Sequence, residues 1–300
     1  MRAAAFDPID HVLSLDLGNR GIESFFTPGA TLAAARALLR ARRVLITTGF
    51  SLGPDLPETD GPPGAAVLGR ALRRLGADVS YVTDHVNVPI LQAALKTLDE
   101  PPHVQRYPDG AAAAAAVLGA QRPTHLIAIE RPGRARGGDY LSARGESVRA
   151  WNAPLDELFL ARHRAVTVGI GDGGNEIGMG NARARIARAS GALMARIASV
   201  VRVDHLVVAG TSNWGAYGVV AALERFSEQS LLHTPELERL LVDACVAAGA
   251  ADGITRRRES TVDGLPIAAH AAVVELLALA AKAKPRGMMG RFERRERGRR

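Results

Sequence analysis

The segment AVTVGIGDGGNEIGMGN, residues 165–181, decides the fold. Its first part, Ala165 to Ile170, is a short, β-branched, apolar run of the kind that forms a strand covered on both faces. Its second part holds six glycines between Gly169 and Gly180, with Asp172, Asn175 and Glu176 among them. Glycines there permit φ > 0 and let backbone amides approach a ligand. A buried strand that runs into a polar, glycine-rich loop belongs to parallel α/β sheets, in which ligands bind beyond the carboxyl ends of the strands.

The rest of the chain repeats the pattern. Further strands are expected at 43–48, 78–82, 125–129 and 205–209. Between and after them lie helical patterns at 32–42, 63–75, 88–98, 111–118, 155–163, from 183, from about Trp214, at 236–248 and at 267–283. Strands alternating with helices indicate βαβ units. The expectation is an α/β protein with three layers: a mainly parallel sheet flanked by helices, in a single domain with glycine-rich site loops over residues 1–281. The stretch 131–154, rich in Gly and Arg, reads as an irregular insertion, and loops of that length are usually functional or mobile.

Composition narrows the classes. The chain has 300 residues, of which 47% are hydrophobic and 23% charged, which are globular values. The net charge of +7 resides in residues 282–300, which hold nine basic and two acidic residues, so the body is neutral. That segment reads as a disordered, solubilising basic tail. Without interleaved aromatics it is a poor platform for nucleic acid, and nucleic acid is not expected as a partner of the body. One cysteine, Cys245, excludes a disulfide framework and a cysteine-ligated zinc site and reads as core. No apolar stretch of about 20 residues occurs, so no membrane span is expected. Acids inside the apolar N-terminus argue against a signal peptide, and the chain reads as cytoplasmic. Apolar helices allow a homo-oligomer.

Five strand ends carry polar, glycine-flanked residues. They are Thr48-Gly49-Phe50 with the following Glu58-Thr59-Asp60-Gly61; Asp84; Glu130-Arg131; Gly171-Asp172-Gly173-Gly174-Asn175-Glu176; and Ser212-Asn213-Trp214. In a parallel sheet these loops meet along one edge. Asp172 and Glu176 in a glycine-rich loop suit a metal ion, a substrate ammonium or a general base, and a tight turn uses such residues too. Thr59 or Asp60 can cap the helix that follows. Trp214 either lines the pocket or packs in the core.

Several chemistries drop out. Gly169, Gly171 and Gly174 formally make GxGxxG. The loop does not run directly into a helix, however, and its acids would repel a pyrophosphate, so no NAD is expected. No Walker loop and no Gly-x-Ser-x-Gly elbow occurs. The three lysines are Lys96, late in a surface helix, and Lys282 and Lys284, in the tail, so no pyridoxal phosphate is expected. Of eight scattered histidines, His85 beside Asp84 is the strongest candidate and His270 a weaker one.

The strings TTGF (47–50), PETDGPPGA (57–65), VTD (82–84), ERPGRA (130–135), GIGDGGNEIGMGN (169–181), SNWGAYG (212–218) and VDGLP (262–266) occur in this order. Together they resemble the D-glutamate cyclase family, in its C-terminal-domain type, over about residues 10–280. The resemblance implies a three-layer α/β domain with a deep acidic pocket. It also implies a lyase that dehydrates D-glutamate to 5-oxo-D-proline.

Lactam closure needs a neutral α-amine, charge stabilisation on the carboxylate oxygen, and a proton for the leaving water. The candidate catalytic set is Asp172, Glu176, Asn175, Glu130 and Asp84. Asp172, Glu176 and Asp60 are candidate ligands for a divalent cation, Mg²⁺, Mn²⁺ or Ca²⁺, which oxygen-only donors suit. Amides of the Gly49 and Gly210 loops and the guanidinium of Arg131 are candidates for substrate carboxylates. Two other classes fit the same acids: a metal-dependent phosphatase or nucleotide-processing enzyme, and a non-catalytic amino-acid-binding partner subunit.

Overall fold

The computed structural model describes residues 7–283, so the expected basic tail, apart from Lys282 and Ala283, lies outside the described residues. Asp7 opens the described chain as the N-cap of α1 (Pro8–Leu13), where its side chain accepts from the Ile9 amide and Asp10 reaches back to the Asp7 amide. α2 (Ala30–Leu38) leads into β1 (Arg43–Thr48). α3 (Pro62–Arg74), β2 (Asp78–Thr83), α4 (Val88–Thr97) and β3 (Val104–Arg106) follow. Then come α5 (Ala113–Gln121), β4 (His125–Ile129), α6 (Glu157–Leu160) and β5 (Val166–Gly171). α7 (Arg183–Ala189), α8 (Gly191–Ile197), β6 (His205–Val208), α9 (Ser212–Ser227) and α10 (Pro235–Ala247) complete the sheet and its cover. A hairpin of β7 (Thr261–Val262) and β8 (Leu265–Pro266) precedes α11 (Ile267–Ala281).

The six long-range strands form one parallel sheet in the order β3-β2-β1-β4-β5-β6. The order reverses between β1 and β4, and in doubly wound sheets the crevice outside the strand ends at that reversal is where ligands bind. Alternation along each strand feeds two cores. Val44, Ile46, Ile127 and Ile129 point into the larger one with α2, α3, α9 and α11. Leu45, Leu126 and Ala128 point into a smaller one with α5 and α6. The expected single α/β domain of three layers is therefore observed. Among the described residues no helix is long and apolar enough to cross a membrane.

The departures from expectation have local causes. β3 lies outside the expected strands, because Val-Gln-Arg is a polar, largely exposed edge strand without an apolar run. The helix expected over 155–163 is the single turn of α6, since Ala161 has extended backbone (φ −66°, ψ 158°). The helix from 183 is two helices, α7 and α8, because the chain breaks at Ser190 and Gly191 opens the second at φ +80°. The 131–154 insertion is tied to the glycine-rich loop and to the segment after α8 by short bridges, Pro132 to Glu176 and Ala135 to Ser199, and closes on itself at Leu141 to Ser147.

One contact between layers is testable. Gly69 in α3 faces Tyr81 of β2 so closely that a Cβ there would collide with the Tyr81 hydroxyl. That hydroxyl is buried and has no hydrogen-bond partner among the described residues. Gly69→Ala is expected to cost about 1–3 kcal/mol by overpacking. Tyr81→Phe added in the same chain removes the obstructing oxygen and recovers most of the loss. Urea unfolding of the two variants and the pair checks this, and no recovery in the pair refutes it.

Candidate functional site

At the sheet reversal the ends of β1 and β4 meet the starts of α3 and α9. Two side chains exchange caps across this junction. Asp60, just before α3, accepts hydrogen bonds from the Ser212 and Asn213 amides at the start of α9, both at 2.8 Å. Asn213 in return accepts from the Gly61 and Gly64 amides at 3.0 and 2.8 Å. A carboxylate at a helix N-terminus also gains from the macrodipole. The two helix starts are thereby fixed to each other with Asp60 between them.

Glu130 follows β4 in a left-handed backbone conformation, φ +41°. Such a conformation is costly for a non-glycine residue and concentrates at functional sites. It turns the carboxylate to Ser212, whose hydroxyl donates to Oε2 at 2.6 Å. The loop crosses above without side chains: a Cβ on Gly61 would lie 2.7 Å from Thr48 Oγ1 and 2.8 Å from Glu130 Cβ. From the glycine-rich loop, Glu176 Oε1 accepts from the Asp172 and Gly173 amides and so shapes the turn. That turn presents Asp172. Ligand oxygens of Asp60, Glu130 and Asp172 all lie within 4.8 Å of one another, and all three residues are buried.

The cluster extends outward. Arg20 pairs with Asp172 (3.4 Å) and with Asp263 in the β7–β8 turn. Glu58 lies over Gly253, and together with Arg20, Glu130, Asn175 and Asp263 it lines a cavity of about 40 Å³. That is room for about three waters. Phe50, Leu52, Ala143 and Ile254 complete its wall. Two turns close over it, joined by an Arg256–Glu146 ion pair and by Arg144 to the Ile254 carbonyl.

Among the described residues, six carboxylates thus gather around the one cation Arg20. Burial raises the pKa of Glu130 well above the usual carboxylate range, with Glu176, Asp60, Glu58 and Asp263 adding repulsion. Burial and then Asp263 do the same for Glu58 and Asp60, although backbone hydrogen bonds at Asp60 and Arg20 at both oppose it. Asp172 is raised by burial against the pull of Arg20. For Arg20, burial alone would lower the pKa, yet Asp172, Asp263, Glu130 and Asp60 hold it well above its ordinary value.

A divalent cation fits this donor set. The Asp172 Oδ2, Glu176 Oε2 and Asp263 Oδ2 atoms are buried without a hydrogen-bond partner, and buried carboxylate oxygens otherwise find one. All the donors are oxygens, which suits Mg²⁺, Mn²⁺ or Ca²⁺. The geometric triad keeps Asp60 and Asp172 from the sequence-derived ligand set and adds Glu130; Glu176 Oε1 accepts backbone amides, as both Asp60 oxygens do, while its Oε2 stays free.

The other sequence candidates divide. Gly171 and Gly173 pack against the Glu176 side chain, and the Asn175 side chain donates to the Leu141 carbonyl while lining the cavity. Asp84 and Arg131 are not in the cluster. They pair with each other, and Arg131 also donates to the carbonyls of Gly49 (2.8 Å) and Ala153 (2.6 Å). Arg131 is therefore fully buried and paired within the fold, with its Nε alone unpartnered, and is corrected as a carboxylate anchor. The Gly210 amide is spent too, donating to Leu13.

Trp214 is corrected to core: it is fully buried and donates to His270 Nδ1 at 2.9 Å. Thr59 ties the loop to the Thr261 carbonyl, and Gly174 packs on α7 and α8. His85 lies with Arg106, Arg149 and Trp151 around a separate surface cleft of about 490 Å³, beyond Asp84. Sequence reasoning missed Arg20 and Asp263. Asp263 stood in the quoted string VDGLP without a role, and Arg20 carried no signal.

The chain matches the sequence family described as D-glutamate cyclase-like, C-terminal, over residues 9–278. It is 37% identical over 239 residues to the human protein D-glutamate cyclase, mitochondrial, a match covering 72% of this chain and 38% of that protein. The chain therefore spans little over a third of that relative's length. Among solved structures it is similar to an exopolyphosphatase-related protein from Bacteroides fragilis (8% identity, TM-score 0.42, 85% of this chain and 57% of that chain). It is also similar to RecJ in complex with Mn²⁺ from Thermus thermophilus (14% identity, TM-score 0.32, 80% of this chain and 25% of that chain).

Proposed function

The chain belongs to the D-glutamate cyclase-like, C-terminal family, and from that membership together with the acidic pocket we propose that it dehydrates D-glutamate to 5-oxo-D-proline. The observation that carries this reading is the buried triad Asp60, Glu130 and Asp172 within 4.8 Å, set among further carboxylates and a single arginine. Such a pocket attracts an ammonium group and holds some of its carboxyls protonated, and amide formation from an ammonium and a carboxylate needs both properties.

In the reaction the α-nitrogen forms a bond to the γ-carboxyl carbon and loses two protons overall. One γ-oxygen leaves with those two protons as water. Glu176, with Oε2 free, accepts the first proton from the ammonium. Glu58, whose pKa burial raises and which lines the cavity, gives a proton to the departing oxygen. The second nitrogen proton returns to Glu58. The proton on Glu176 passes to the same oxygen, and both residues regain their starting states. General acid–base help of this kind is worth about 10²–10⁴ in rate. Asp60, Glu130 and Asp172 would hold a divalent cation, which polarises the carboxyl group when bound.

The test is NMR observation of D-glutamate, L-glutamate and 5-oxoproline with the protein, in chelator and in Mg²⁺, Mn²⁺ or Ca²⁺. The expected result is cation-dependent interconversion of D-glutamate and 5-oxo-D-proline with L-glutamate untouched. No conversion under any condition overturns the reading. Cation-dependent phosphate release from esters in its place transfers the site to phosphoryl chemistry.

A further inference from the structure

A substrate with two carboxylates enters a pocket that already holds six, so something must attract its anionic ends. The positive and amide groups around the strand ends are mostly committed: Arg131 to Asp84 and two carbonyls, and the Gly210 amide to Leu13. Arg20 remains. Only two of the five N–H donors of a guanidinium are taken by Asp172 and Asp263. The others have no partner among the described residues, and the side chain lines the cavity. We propose that Arg20 is the specificity-determining residue that binds the substrate's α-carboxylate, the one that survives the reaction. This rests on the cyclase reading above.

Position selects the α- over the γ-carboxylate. The Arg20 side chain is 16% exposed, whereas those of its partners Asp172 and Asp263 are 1% and 4% exposed. Arg20 is therefore more accessible than either acid it pairs with, and it faces the same cavity as Glu130 of the triad; a γ-carboxyl that reacts at the triad leaves the α-carboxylate to Arg20. The arginine is also held ready. The Asp16 carboxylate accepts from the Arg20 and Gly21 amides at 2.7 Å and from Ile22 at 3.3 Å, which fixes the backbone that carries it. A preorganised guanidinium with free donors offers a carboxylate a two-pronged contact at little ordering cost. Its existing pairs with Asp172 and Asp263 need not break.

The experiment compares 5-oxo-D-proline with 2-pyrrolidinone, the same lactam without the carboxylate, for binding to wild type, Arg20→Ala and Arg20→Lys, beside D-glutamate turnover. Wild type is expected to prefer 5-oxo-D-proline by about 100-fold or more. Arg20→Ala is expected to abolish the preference, and Arg20→Lys to retain a fraction of it. Damage to the fold weakens both lactams and leaves their ratio, so a merely structural arginine would not move this readout. Should Arg20→Ala not fold, Arg20→Lys decides, with at least a tenfold fall in the ratio expected. An unchanged ratio in a variant that binds overturns the inference alone. Wild type that neither turns over D-glutamate nor binds either lactam overturns the cyclase reading, and this inference with it.

Discussion

Glu130→Gln is expected to lower D-glutamate turnover about 10³-fold while raising the melting temperature of the cation-free protein. The two effects share one cause. The Glu130 carboxylate is buried among other carboxylates, and its pKa is pushed well above the usual range by burial first and Glu176 next. Glutamine keeps an oxygen to accept from the Ser212 hydroxyl and removes the charge. Relief of this kind is worth about 0.5–2 kcal/mol.

The sign of the pH dependence follows. A carboxyl whose native pKa is raised holds a proton that the unfolded chain has already lost, so stability falls as pH rises from the ordinary carboxylate range through the raised value. Below that range both states are protonated and the variant has no advantage. Thermal melts in chelator from pH 4 to 8 should therefore diverge, with the variant increasingly the more stable. The activity loss comes from removing one of three oxygen ligands at the centre of the pocket. Asp172→Asn should behave alike. Glu176→Gln should keep the turn, because its Oε1 can still accept the Asp172 and Gly173 amides, but it removes the proton acceptor and should lose about 10²–10⁴ in turnover. Turnover within tenfold of wild type in both Glu130→Gln and Asp172→Asn refutes the assignment, and parallel melting curves refute the electrostatic account.

What the sequence made legible and what it hid separate along a physical line. Strand runs such as His125–Ile129 are visible because burial on both faces leaves a continuous apolar signature. The acids after those strands are visible because parallel topology forces strand ends together, so Asp60, Glu130 and Asp172 could be gathered without knowing any distance. Pairing is another matter. Arg131 and Asp84 look like two site residues, yet each is consumed by the other across 47 residues, and nothing local records that choice. Arg20 meets Asp172 across 152 residues, from a segment that belongs to no strand. Trp214 follows a site loop in sequence, but the helix turn directs it down to His270 instead of out to the crevice. Residue type and spacing reveal which loops converge, and three-dimensional partner choice decides which side chains remain free there.

That partner choice also carries a large stability consequence. Asp84→Asn is expected to lower the unfolding free energy by about 3–5 kcal/mol, the cost of leaving a buried charge without its counter-ion. Arg131 has no exposed surface, and Asp84 is its only anionic partner among the described residues. Asp84 also accepts from the Ala153 amide at 2.7 Å and from Asn87 at 3.3 Å, so the pair pins the far end of the 131–154 insertion to the end of β2.

The loss is large against a total domain stability of about 5–15 kcal/mol. Arg131→Met should cost a similar amount by stranding Asp84. The double replacement Asp84→Leu with Arg131→Met should cost less than either single change, since no unpaired charge remains. Urea unfolding of the three variants gives the coupling directly. A single-variant loss under about 1 kcal/mol, or simple additivity in the pair, would show that the two charges are not a buried unit. Because Arg131 directly follows Glu130, the singles should also lose turnover beyond what their instability explains at low temperature, as the strained backbone that aims Glu130 at Ser212 relaxes.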